Sequence, residues 1–124
     1  MHAFREAVEA GDLDAAIALF AKDATLDSPV AFKPFEGLDA IRVVLGAVME
    51  VFQDFHYTHE FDSADAHALV FRARVGDLQV EGLDLLRIES QEGRIANLTV
   101  MVRPLSGLVA LAEAMAPRVE HLSK

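Results

Sequence analysis

Cysteine is absent from the 124 residues, which excludes a disulfide framework, a thiolate zinc site and a cysteine nucleophile in any compartment. Basic residues are scarce. Eleven Lys and Arg against twenty Asp and Glu leave a formal net charge of -9, a balance that repels a phosphate backbone, so no nucleic-acid partner is expected. No uninterrupted apolar run approaches the ~18 residues that suggest a membrane span, because Asp, Lys, Arg or Glu interrupts each candidate, and no membrane partner is expected. Where a secretory signal would place basic residues and then an apolar stretch, the chain has His2, Arg5, Glu6 and Glu9, which predicts a cytoplasmic location. Phosphate loop, Gly-rich dinucleotide fingerprint and Gly-x-Ser-x-Gly elbow are all missing, so neither a nucleotide cofactor nor triad chemistry has support, and no cofactor is expected. Glycine and proline total 11 residues, too few for a low-complexity or disordered chain.

What is present suits one self-sufficient core: 52% apolar residues in a length of about one domain. Phe4 and Val8 are spaced i,i+4, Gly11 and Asp12 interrupt, and Leu13, Ile17 and Phe20 resume at helical spacing with Asp12 as N-cap, which predicts two short helices. Residues 24–30, broken by Pro29, read as an irregular edge strand. Ile41, Val44, Leu45, Val48 and Phe52 form one helical stripe, predicting a third helix over about residues 39–53.

The period then changes to two. Phe55, Tyr57, His59 and Phe61 alternate with polar neighbours, and after a Ser, Ala and Asp turn Leu69, Phe71, Ala73 and Val75 do the same. Turns at Gly76-Asp77 and at residues 91–93 separate two further strands, completing a four-stranded meander. Pro104 ends the sheet, and Leu108, Leu111, Ala112, Met115, Val119 and Leu122 return to helical spacing, with Pro117 expected to kink or stop that helix near Ala116. Helices gathered in the first half and long antiparallel strands in the second give an α+β class: a curved antiparallel sheet with helices over its concave face and a C-terminal helix, enclosing a pocket.

Particular segments in this order carry a family resemblance: Ala10-Gly11-Asp12-Leu13-Asp14, Asp23-Ala24-Thr25, Pro29-Val30, Pro34, Gly37, Ala40-Ile41, Gly82-Leu83-Asp84, Gly93-Arg94-Ile95 and the closing Val102-Arg103-Pro104-Leu105. Over nearly its whole length the chain resembles the nuclear transport factor 2-like superfamily, which includes ketosteroid isomerases and SnoaL-like polyketide cyclases, and its closing segment is similar to members without assigned activity. The resemblance implies a single cone-shaped domain over residues 1–124 with an apolar cavity, often dimeric through the outer sheet face, and no one reaction. Matched against ketosteroid isomerases, the base position falls on Ser28 and the tyrosine donor position on Phe4, so two of three catalytic roles are missing. The third, a protonated aspartic acid that donates a hydrogen bond, falls on Asp84. Asp27 could replace the base only if Pro29 marked a bulge, since a one-residue shift reverses the face of a strand.

Strand parity supports Asp84 independently. Its row is Val80, Gly82, Asp84, Leu86 and Ile88, one acid among small or apolar positions, and a lone carboxylate there is costly unless paired, protonated or hydrated. The ordinary alternative is an ion pair with a nearby Arg. Candidate catalytic residues are therefore Asp84 and Asp27, and candidate ligand contacts are Tyr57, His59, Phe71, Leu86, Leu98 and Val100. Tyr57 and His59 share a face by parity, though Tyr57 packing in the core with its hydroxyl at the rim is the plainer reading. His56 and His59 fall on opposite faces, so no metal site is expected. His2, His67 and His121 are expected to face solvent, and Arg103 to form a surface or interface ion pair. Three functional readings remain: a protein binding a small apolar ligand, an isomerase- or cyclase-type enzyme moving a proton on an apolar carbonyl compound, and a noncatalytic dimeric scaffold with a filled cavity.

Overall fold

Gly11, at φ 70°, makes the left-handed turn between α1 (His2–Glu9) and α2 (Leu13–Ile17), and Asp12 caps α2 by accepting the Ala15 N–H at 3.1 Å. The computed structural model describes residues 2–123; the side chain of His2 lies outside the described residues. Phe20 does not continue α2. The Ile95 N–H bonds the Leu19 carbonyl at 2.9 Å, drawing the chain into the sheet, so β1 spans Phe20–Asp27 and stops before Pro29. Nor is β1 the edge: the two-residue β2 (Phe35–Glu36) pairs with it on one side.

From there α3 (Leu38–Val51) leads into β3 (Gln53–Asp62), β4 (Ala66–Val75), β5 (Leu78–Ile88) and β6 (Ile95–Arg103), then α4 (Leu105–Val119) and a final 3₁₀ turn, Glu120–Ser123. The α4 helix passes through Pro117 and ends three residues later than Ala116, with the Arg118 guanidinium donating to the Ala114 carbonyl at 2.7 Å in its last turn. Strand order is β2-β1-β6-β5-β4-β3, with β1 parallel to β6 and every other pair antiparallel. The result is an open, curved six-stranded sheet whose concave face is covered by helices, an α+β cone. Among the described residues, no helix is long and apolar enough to cross a membrane.

One core fills the cone. Phe4 and Phe20 meet edge to face at 6.1 Å, and Ile41, Leu69, Leu86 and Leu98 are fully enclosed. Further along, Phe55 stacks on Phe71 at 4.8 Å and Phe52 packs tilted against both, with centroids 5.8 and 5.4 Å away. Gly82 makes this cluster fit: a Cβ there would lie 2.1 Å from the Phe71 ring and 2.8 Å from the Met101 carbonyl oxygen. Gly82→Ala is therefore expected to destabilise the fold by about 1–3 kcal/mol through overpacking, measured as a lower urea midpoint. An unchanged midpoint would show that the ring yields freely.

Candidate functional site

Between α3, α4 and the concave sheet face lies a pocket of about 290 Å³. Its walls are mainly apolar, with Phe55, Phe71, Leu98 and Val100 from the strands, Phe52 at the end of α3, and Met115 from α4. Four of the lining residues have polar side chains: Glu9, Ser28, Tyr57 and Asp84. No Lys, Arg or His contributes among the described residues.

Asp84 is only 7% exposed, the one buried residue with a charged side chain among the described residues. Its strand neighbours in register are Leu69 and Val100, neither of which offers a polar side chain. The Tyr57 hydroxyl donates to Asp84 Oδ2 at 2.7 Å. Tyr57, Phe71 and Gly82 lie abreast on β3, β4 and β5, so the phenol reaches diagonally across β4 to the acid two residues beyond Gly82. Burial pushes the Asp84 carboxyl up to about 7, although the Tyr57 hydrogen bond opposes the shift. Burial, then the charge of Asp84 and its hydrogen bond, also drive the Tyr57 phenol well above its ordinary value.

At the other end of Tyr57, its backbone N–H donates to Glu9 Oε2 at 3.1 Å, which ties the end of α1 to β3. Arg5 Nε donates to Glu9 Oε1 at 3.3 Å, and Arg5 Nη2 donates to the Tyr57 carbonyl at 3.3 Å. Ser28 faces the pocket with its Oγ accepting the Val30 N–H at 3.2 Å.

A model of the SnoaL-like domain matches residues 1–98. The chain belongs to the SnoaL-like domain family. A protein from Pseudomonas aeruginosa described as a steroid delta-isomerase is 38% identical and superposes with a TM-score of 0.86, the alignment covering 96% of this chain and 88% of that one. An uncharacterised bacterial protein with a cystatin-like fold from Silicibacter pomeroyi is 34% identical, TM-score 0.90, covering 96% and 84%. A hypothetical protein with a ketosteroid isomerase-like fold from Catenulispora acidiphila, at 18% identity and TM-score 0.66, covers 90% of each chain and shows likeness of fold alone. These likenesses place this SnoaL-like chain in the nuclear transport factor 2-like superfamily without attaching an activity to it.

In this SnoaL-like domain the candidate residues divide. Asp84, Tyr57, Phe71, Leu98 and Val100 all border the pocket. Asp27 does not. It ends β1 opposite Thr99, with no bulge at Pro29, and its Oδ2 accepts from Asn97 Nδ2 at 3.1 Å and Thr99 Oγ1 at 3.0 Å on the outer sheet face. The residue beside it that turns inward is Ser28.

His59 is likewise on the outer face. A register shift between Tyr57 and His59 pairs Tyr57 with the inward Phe71 and His59 with the outward Val70, which separates two residues that simple alternation puts together. The His59 ring stacks on Phe61 with centroids 6.2 Å apart. Leu86 is fully buried on the inward row but packs into the core without bordering the pocket. Phe4, at the expected tyrosine position, is also core, and the phenol in the pocket comes from β3 instead.

His67 bonds Asp62 at 2.6 Å and is half-buried, while His121 is exposed. Arg103 pairs with Glu81 at 3.5 Å on the surface. No cluster of three metal-ligating side chains occurs among the described residues. Glu9 was not legible from sequence as a pocket residue, because only the fold brings the end of α1 against Tyr57.

Proposed function

We propose that the pocket binds a small apolar carbonyl compound, with Asp84 in its protonated form donating a hydrogen bond to the carbonyl oxygen. The observation that carries this reading is a buried acid whose one hydrogen-bonding neighbour among the described residues is a phenol, set in a mainly apolar wall. Tyr57 donates to Oδ2, which leaves the acid proton on the other oxygen free to point at a ligand. In a dry wall such a bond is worth more than in water, and it fixes the ligand's orientation while Phe52, Phe55 and Phe71 supply area. The open volume of about 290 Å³ supports an occupied site over a core filled by its own side chains.

Acetophenone and ethylbenzene, which share a shape and differ in the carbonyl, test this by calorimetry. Acetophenone should bind more tightly below pH 7 and lose about tenfold in affinity for each pH unit above the raised Asp84 value. Asp84→Asn should bind it more weakly at acid pH and show no such slope. Equal affinity for the two probes would reject the donor.

The likeness to the Pseudomonas aeruginosa steroid delta-isomerase favours a second reading, proton transfer on a bound ketone. Ser28 at the base position is a weak base without activation, and that weighs against it.

The outer sheet face supports a homodimer as the assembly. Val70, Leu83 and Met101 stand abreast across β4, β5 and β6, with Met101 50% and Phe61 60% exposed, an apolar patch that a second copy would bury. Light scattering should give twice the mass of one chain at about tens of micromolar. Leu83→Glu should halve it; a wild-type mass of one chain would exclude the dimer.

A further inference from the structure

We propose that residues 31–34 form a flap over the mouth of the pocket, and that the Phe32 ring closes onto the outer end of a bound apolar ligand. This rests on the pocket taking an apolar ligand and holds whichever protonation state Asp84 has. The mouth is located by the lining residues that reach solvent: Glu9, Ala10 and Gly11 at and just after the end of α1 on one side, and Val30, 37% exposed, on the other. Phe32 follows Val30 by two residues, a reach of about 7 Å along an extended chain. Its ring is wholly exposed, the most exposed large apolar side chain among the described residues.

Both ends of this segment are fixed and its middle is not. On the β1 side the Val30 N–H donates to Ser28 Oγ at 3.2 Å, and on the β2 side Phe35 pairs with Leu26. Residues 31–34 between them are all exposed, and Phe32, Lys33 and Pro34 make no hydrogen bond among the described residues. Moving the ring therefore breaks no hydrogen bond, which puts the flap among the parts of a fold that shift at little cost. A ligand reaching the mouth adds apolar surface for the ring to cover, so its presence favours the closed position over the open one. Phe52, Phe55 and Phe71 wall the pocket, and Phe32 supplies a ring of the same kind at its outer end.

The chain has no tryptophan, so Phe32→Trp places a single indole on the flap. The probe is cyclohexyl methyl ketone, which carries a carbonyl without the aromatic absorption that would mask the indole, and calorimetry sets its saturating concentration. Saturating ketone should shift the indole emission to the blue and lower its quenching by acrylamide severalfold. Independently, Phe32→Ala should bind the same ketone about tenfold more weakly, chiefly through faster release, whereas Phe32→Leu should stay within about twofold of wild type. Because the ring stands wholly in water, neither substitution should move the urea midpoint.

An indole as accessible to acrylamide with saturating ketone as without it overturns the flap, as does wild-type affinity in Phe32→Ala. In those cases retained binding of the ketone leaves the reading of the pocket standing. Protection of the indole that rises with protein concentration in the absence of ketone would assign Phe32 to a contact between copies, and that also overturns the flap. Failure of both the ketone and acetophenone to bind overturns both readings.

Discussion

Between about pH 3 and pH 8 the wild-type protein should lose about 4 kcal/mol of folding stability through Asp84, and Asp84→Asn should lose none of it. The carboxyl is raised from an ordinary 3.8 to about 7 in the folded state, chiefly by burial. A folded state that holds this proton more tightly than the unfolded chain gains most below the unfolded pKa, and the gain disappears as pH rises through the folded value. Asn keeps the shape and an acceptor for the Tyr57 hydroxyl but cannot ionise. At pH 8 the variant should therefore be the more stable protein. Asp62, held low by its His67 hydrogen bond, and Glu89, held low by the backbone N–H groups of Arg94 and Glu92, act with the opposite sign at the acid end. Their effect is common to both proteins and cancels in the difference. Urea denaturation at unit pH intervals gives the two curves; parallel curves would mean that Asp84 titrates in the fold as it does in the unfolded chain.

The second large effect concerns the base position. The wild-type protein should not turn over a 3-oxo-Δ5-steroid above buffer, whereas Ser28→Asp should raise the rate by about 10²–10⁴-fold, the range contributed by a positioned general base. Ser28 already borders the pocket, and its Oγ holds the Val30 N–H. An aspartate can keep that turn bond through one oxygen and present the other to a ligand. Both proteins retain the Tyr57 and Asp84 donors, so the variant changes only the proton acceptor. Wild-type turnover well above buffer, abolished by Asp84→Asn, would show that a base other than Ser28 operates.

The cone was legible in the sequence because its period changes from the helical stripe ending at Phe52 to the alternation through Phe71 and Val80, and back to helical spacing after Pro104. Asp84 stood out for a related reason: a lone acid in the row Val80, Gly82, Leu86 breaks a pattern whose other members are apolar. Alternation failed where the backbone departs from it. The extra residue in β3 sends Tyr57 inward and His59 outward, and no turn residue marks it. Glu9 escaped notice because its role depends on a contact 48 residues away, the N–H of Tyr57, which no local spacing encodes. Asp27 and Ser28 show the converse: strand parity alone separates them, and β1 keeps that parity to its end, leaving the carboxylate with Asn97 and Thr99 on the outer face.

On the proposed reading, Asp84 is a neutral hydrogen-bond donor in the pocket below about pH 7. Carboxyl-carbon NMR of the wild-type protein, with the Asp84 resonance assigned by its loss in Asp84→Asn, titrates that group directly. A midpoint near the raised value of about 7 is the expected result. A midpoint at or below the ordinary aspartate value of about 3.9 would contradict it, since the side chain would then be a carboxylate accepting from Tyr57 with no proton to give a ligand.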